Sequence, residues 1–127
     1  MNNLNCEKYF DKSSTFCTTQ LANLLFVGEL SARCAALHLP VTVNCAELHP
    51  RRTGLSDWIH RVTDREAAQP VITLASMTGV TGQLLSGRKM TKCEDHIGQD
   101  RQAAGQAGIL WGLSAALTNI RQEEIIF

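Results

Sequence analysis

The sequence predicts a mainly α-helical protein, a small bundle forming a single domain over residues 14–127 behind a flexible arm at residues 1–13. Three observations carry this. The 127 residues suffice for one core and no more. An apolar content of 44% against 6% aromatic calls for a folded, aliphatic core. Apolar residues also recur at three- and four-residue steps over several long stretches.

The arm "MNNLNCEKYFDK" is polar and aperiodic. From about Ser14, Leu21, Leu24, Leu25, Ala32, Ala35 and Ala36 share one helical face, and Pro40 stops that helix near Leu37, because proline disfavours a helical residue before it. "VTVNCAEL" follows; its alternating Val41 and Val43 permit a short strand before the turn "HPRRTG". Ser56 is the expected N-cap of a helix over "DWIHRVTDREAA", which Pro70 separates from what comes next. The last helix, "RQAAGQAGILWGLSAALTNIRQ", places Ile109, Leu113, Ala116, Leu117 and Ile120 on one stripe. That stripe serves either a contact between copies, anchored by Trp111, or the chain's own core.

Charge and cysteine content narrow the function classes. Twelve basic and twelve acidic residues cancel, so no overall field draws nucleic acid or anionic lipid. Between Arg51 and Lys92, however, seven basic residues face three acids. Five irregularly spaced cysteines and no N-terminal basic-then-apolar signal predict free thiols in a cytoplasmic protein. The uncharged run from Ala103 to Ile120 holds Gln106, Ser114, Thr118, Asn119 and three glycines, too polar for a membrane span.

The chemistry concentrates in "LASMTGVTGQLLSGRKM", residues 74–90. One reading is a phosphate-wrapping loop, since Gly82 and Gly87 have its spacing. Arg88 then stands where a lysine must reach phosphates, and Lys89 where a hydroxyl must hold magnesium. The other reading is two helices crossing at a glycine turn. Leu74 and Ala75 line the first, Gly79 opens the turn, Val80 plugs it, Leu84 or Leu85 closes the wedge, and Thr81 caps the second helix.

Those residues, "LASMTGVTGQLLS", resemble the helix-turn-helix of small regulators of the Cro and phage-repressor type. The resemblance implies a helical bundle that binds double-stranded operator DNA as a homo-oligomer. Gln83 would then read adenine, Thr81 and Ser86 would assist, and Arg88, Lys89 and Lys92 would hold phosphates. A looser likeness joins "ELSARCAALHLPVTVNCAELHPRR" to the CII regulators of P2-like phages, with a core of Ala35, Leu39, Cys45 and Leu48. Both imply a sequence-specific transcriptional regulator of phage or mobile-element kind. The competing class, favoured by the neutral net charge, is a small protein-interaction module such as an immunity protein, antirepressor or secretion chaperone.

Other constellations are weaker. Cys34, His38, Cys45 and His49 form two Cys-x-x-x-His pairs of a kind zinc accepts, though small buried cysteines with histidines at the rim explain them better. Cys93 is followed by Glu94, Asp95 and His96, but nearby acids raise a thiol pKa, so "KCEDHIGQD" reads as a solvated turn. Asp57 and His60 are surface neighbours on a helix. The sequence therefore predicts no catalytic residues, no cofactor and no metal.

Overall fold

A computed structural model describes residues 3, 6–48, 63–97 and 101–120. In chain order the elements are α1 (Lys12–Ala36), β1 (Cys45–Ala46), α2 (Asp64–Ser76), β2 (Gln83–Ser86), β3 (Lys89–Lys92), α3 (Cys93–Ile97) and α4 (Arg101–Leu117). Helices take most of the described residues, so the chain is mainly α, but its centre is a sheet. Among the described residues no helix is long and apolar enough to cross a membrane.

Helix α1 begins two residues before the expected Ser14 because Asp11 is its N-cap, accepting the Ser14 N–H at 2.7 Å. Its end lies where Pro40 predicted, and the termination itself is a Schellman turn. Leu39 N–H donates to Cys34 O (2.9 Å) and His38 N–H to Ala35 O (3.1 Å), with His38 left-handed at φ +53°. A histidine there bears a steric cost that glycine avoids. His38→Gly is expected to stabilise the chain by roughly 1 kcal/mol, seen as a higher urea midpoint; a lower one would show that the imidazole makes a contact worth more than the strain.

Helix α2 departs from expectation at both ends. Ser56 lies outside the described residues, and the observed N-cap is Thr63, in a capping box with Glu66. Pro70 does not end the helix but sits inside it, buried. Its missing N–H leaves the Glu66 carbonyl without a helical donor, a cost offset by packing the ring under the sheet.

The helix expected over Thr81–Ser86 does not form; Gln83–Ser86 is strand β2. Two features enforce this. Gly82 and Gly87 bracket the segment at φ +69° and +59°, which breaks a right-handed helix at each end. Leu84 and Leu85 are 9% and 4% exposed although adjacent, as happens when a strand is covered on both faces. The phosphate-loop reading is corrected by the same fact, since the four residues between those glycines are a strand. The segment after α1, proposed as part of a second helix-turn-helix, likewise contains strand β1 at Cys45–Ala46.

The sheet has the order β1-β2-β3. β2 and β3 form a hairpin, Ser86 opposite Lys89, around the two-residue turn Gly87–Arg88. Gly87 has positive φ and Arg88 does not, which is the II′ pattern suited to strand twist. β1 pairs with β2 in parallel, Cys45 opposite Leu84 and Ala46 opposite Leu85, and α2 lies in the connection. A parallel pair requires such a crossover.

The two faces are covered differently. Gly82 meets Ser31 of α1, so by strand alternation Leu84 faces α1 while Leu85 faces α2. On the α1 side, α3 and α4 pack against α1. Leu25, Cys34, Cys93 and Leu110 are buried there. Phe26 stacks on Trp111 at 5.5 Å, and the Arg33 guanidinium, paired with Glu29 at 2.7 Å, lies 4.6 Å from the same ring. The α4 stripe expected from the sequence faces outward: Ile109, Leu113, Leu117 and Ile120 are exposed, and Leu110 makes the core contact instead.

Candidate functional site

The strongest candidate site is a groove of about 780 Å³ between α2 and the β2–β3 hairpin. Pro70 of α2, its C-cap Met77, and Leu85 and Met90 from the sheet form its apolar walls, with Arg88 and Glu66 at one end. The sequence puts these residues together for local reasons. Met90 stands opposite Leu85 in the hairpin register, so both point to the α2 face. Glu66 and Pro70 are one helical turn apart, and so share a face.

The charged end lies at the carboxyl ends of the parallel strands, where open α/β sheets place their ligands. There β1 leads into Glu47, whose N–H donates to Leu85 O (2.9 Å) and whose carboxylate accepts a short hydrogen bond from the Ser86 hydroxyl. Glu66 is held by the capping box: its carboxylate accepts the Thr63 N–H and hydroxyl, each at 2.8 Å. Those two donors hold its pKa below the usual 4.5. The Thr63 N–H and hydroxyl thus hold the Glu66 carboxylate beside the groove. An apolar body with a hydroxyl to donate suits these groups.

The residues predicted to touch DNA are distributed along the sheet rather than on a helix. Thr81 bridges to the segment before β1, accepting the Val43 N–H (3.1 Å) and donating to Val43 O (3.3 Å). Gln83 is half-buried at the start of β2, its N–H donating to Asn44 Oδ1. Ser86 is engaged with Glu47. Arg88, Lys89 and Lys92 are exposed on the hairpin, but Lys89 and Lys92 stand at the two ends of β3, three residues apart, and so turn to opposite faces of the sheet.

The thiols and histidines do not converge. Cys34 is 1% exposed inside α1, whereas His38 lies beyond the helix end and is exposed, so they share no helical face. Cys45 is in β1, and His49 lies outside the described residues, as do Asp57 and His60. Among the described residues no group of three or more potential ligands could hold a metal.

The expected turn at "KCEDHIGQD" is instead α3, whose Cys93 is fully buried and whose His96 Nε2 lies 2.5 Å from Thr91 Oγ1. Burial, with smaller contributions from Cys45 and Glu94, pushes the Cys93 thiol from 9.0 up to about 11. Since the folded state holds this proton more tightly, the associated stability is intact below pH 9 and disappears as pH rises through about 11. Urea midpoints are expected to fall over that window, and the fall should be smaller in Cys93→Ala; an equal fall in both would assign it elsewhere.

A parallel β-crossover-β unit with helices on both faces is an α/β arrangement. Human retinol dehydrogenase 14 is similar to this chain: 30% identical over an alignment of 138 positions that covers 94% of this chain and 39% of the relative. The chain therefore spans less than two-fifths of that relative's length. No protein-family profile and no solved structure matches.

The groove was missed in the sequence for an identifiable reason. Ser86-Gly87-Arg88-Lys89 carries a Gly-X hairpin signal, and reading it first would have made Gln83–Lys92 a β-ribbon and set Met90 against Leu85.

Proposed function

We propose that this chain provides the ligand-side wall of an α/β oxidoreductase that acts on an apolar alcohol of the retinol kind. The observation that carries the reading is the groove itself: apolar along its length and polar at one end, at the carboxyl ends of two parallel strands. The similarity to human retinol dehydrogenase 14 supports it. Leu85, Met90, Met77 and Pro70 would pack the apolar body, and the Glu66 carboxylate would accept a hydrogen bond from the hydroxyl.

The test is a titration of the purified chain with retinol, followed by quenching of its two tryptophans. Saturable quenching that Met90→Lys abolishes is the expected result. Quenching that never saturates, or that is the same in the variant, would end the reading.

A second reading keeps DNA as the partner, because Arg88, Lys89 and Lys92 stand exposed on one hairpin that has no acidic residue from Gln83 to Lys92. A two-stranded ribbon, rather than a helix, would then enter the groove of the duplex. Retention on heparin or random duplex should fall with salt and drop in Arg88→Ala/Lys89→Ala; weak, unchanged retention would favour a protein partner instead.

A further inference from the structure

We propose that the groove between α2 and the hairpin also binds apolar carboxylic acids, with the Arg88 guanidinium holding the carboxylate, so that an acid built on the alcohol's own carbon skeleton competes with it. This inference rests on the proposed alcohol site for the apolar body and on Arg88 for the head group.

The two charged residues at one end of the groove offer opposite things. Glu66 is a carboxylate and can only accept, which suits a hydroxyl that donates. Arg88 can only donate, through a planar fork of N–H groups, and a single hydroxyl oxygen engages little of that fork. A carboxylate engages it with two parallel hydrogen bonds. Among the described residues the ion pair is Arg33 with Glu29, and no carboxylate stands at ion-pair distance from Arg88.

The surroundings favour an anion there despite Glu66. That carboxylate lies in the first turn of α2, where its Oε2 accepts both the N–H and the hydroxyl of Thr63 and the helix dipole is positive, so its charge is already offset. On the sheet side nothing opposes Arg88. Residues 83–92 contain no acid, and Lys92, opposite Gln83, turns to the same face as Leu85 and Met90. Beyond Glu66, residues 67–76 of α2 carry no charge.

The rest of the groove suits an apolar body with one polar head. Its volume of about 780 Å³ falls in the range of roughly 300–1,000 Å³ usual for small-molecule sites. Met77 and Met90 contribute unbranched thioether side chains that adapt to the shape of what they cover. Gln69 and Thr73, the polar residues along the α2 wall, bond to each other at 3.4 Å, and the Thr73 hydroxyl donates to Gln69 O at 2.9 Å. They therefore ask for no second polar group on the ligand.

The test is displacement of a dansyl-labelled long-chain fatty acid whose carboxylate is free, read from the dansyl emission, with retinoic acid and retinol as competitors that share a body and differ at the head. Saturable probe binding, with retinoic acid displacing the probe at an about tenfold lower concentration than retinol, is the expected result. Arg88→Gln should weaken the probe and retinoic acid about tenfold and leave retinol unchanged, with the melting curve kept because Arg88 is an exposed turn residue. Glu66→Gln, which retains a capping-box side chain, should do the reverse, weakening retinol and tightening the acid. Lys89→Gln removes the same charge from the opposite face of the hairpin and should leave every affinity as it was.

Equal displacement by acid and alcohol, or an acid affinity unchanged in Arg88→Gln, overturns the proposal. Saturable retinol binding with no binding of either acid overturns it and leaves the alcohol site standing. Acid binding lost in Arg88→Gln while retinol never saturates upholds the carboxylate site and removes the alcohol. No saturable binding of any of the three overturns both.

Discussion

Gly82→Ala is expected to destabilise the chain by about 3 kcal/mol, far more than the same change at Gly87. Both glycines have positive φ, +69° and +59°, and each substitution incurs about 1–2 kcal/mol for holding a side chain in the left-handed region. They differ in surroundings. A Cβ at Gly87 meets nothing within 4 Å, whereas one at Gly82 lies 3.0 Å from Ser31 Oγ. That hydroxyl cannot retreat freely, because it is 9% exposed and donates to Gly28 O at 2.9 Å.

Gly82 also joins three parts of the sheet: its N–H donates to Val43 O (2.8 Å) and its carbonyl accepts the Cys93 N–H (2.9 Å). Any shift to relieve the contact with Ser31 therefore strains both bonds. A double-mutant cycle with Ser31→Ala isolates the steric part. Equal losses at Gly82 and Gly87 would mean that α1 does not lie on that face.

Leu85→Ala has a comparable effect by a different route. Leu85 is 4% exposed and forms the floor of the α2 groove, so truncation removes buried surface and leaves a void that α2 cannot fill without moving Pro70. A loss of about 3 kcal/mol is expected, within the range for buried Leu→Ala changes. Retinol affinity should fall with it, as the ligand loses a wall contact. Urea unfolding measures the first effect and fluorescence titration the second. An unchanged urea midpoint would place Leu85 at the surface.

The helices were legible in the sequence to the extent that their signals were local. α1 declares itself through its apolar period and the Pro40 stop, and α4 through a long uncharged run. The α4 stripe shows where periodicity stops being informative. It identifies an apolar face but not which neighbour covers it, and Ile109, Leu113 and Leu117 turned outward while Leu110 went in.

Pro70 misled for a related reason, because burial of its ring under the sheet outweighs a missing hydrogen bond that local rules treat as a break. The segment Thr81–Ser86 was misread because Gly79, Val80 and Leu84 fit a helical turn as well as a loop and a strand. What decides is the left-handed backbone at Gly82 and Gly87 together with cover on both faces, the latter supplied by helices distant in the chain that no local pattern discloses. Half of the groove, the pairing of Leu85 with Met90, was legible in the Gly87–Arg88 hairpin signal, whereas the helix that crosses over them was not.

The parallel register also fixes an order of events as the chain folds. The β2–β3 hairpin closes a two-residue turn and so forms on the microsecond scale typical of hairpins (about 1–10 μs). Asn44 and Gln83, by contrast, are separated by 39 positions and meet only after a long loop has closed, with its entropy spent in advance. β1 is therefore expected to join after the hairpin, which a lower amide-exchange protection in β1 than in β2 and β3 would report. Loss of β1 with the ribbon still formed would leave Leu84 and Leu85 beside an unsealed flank.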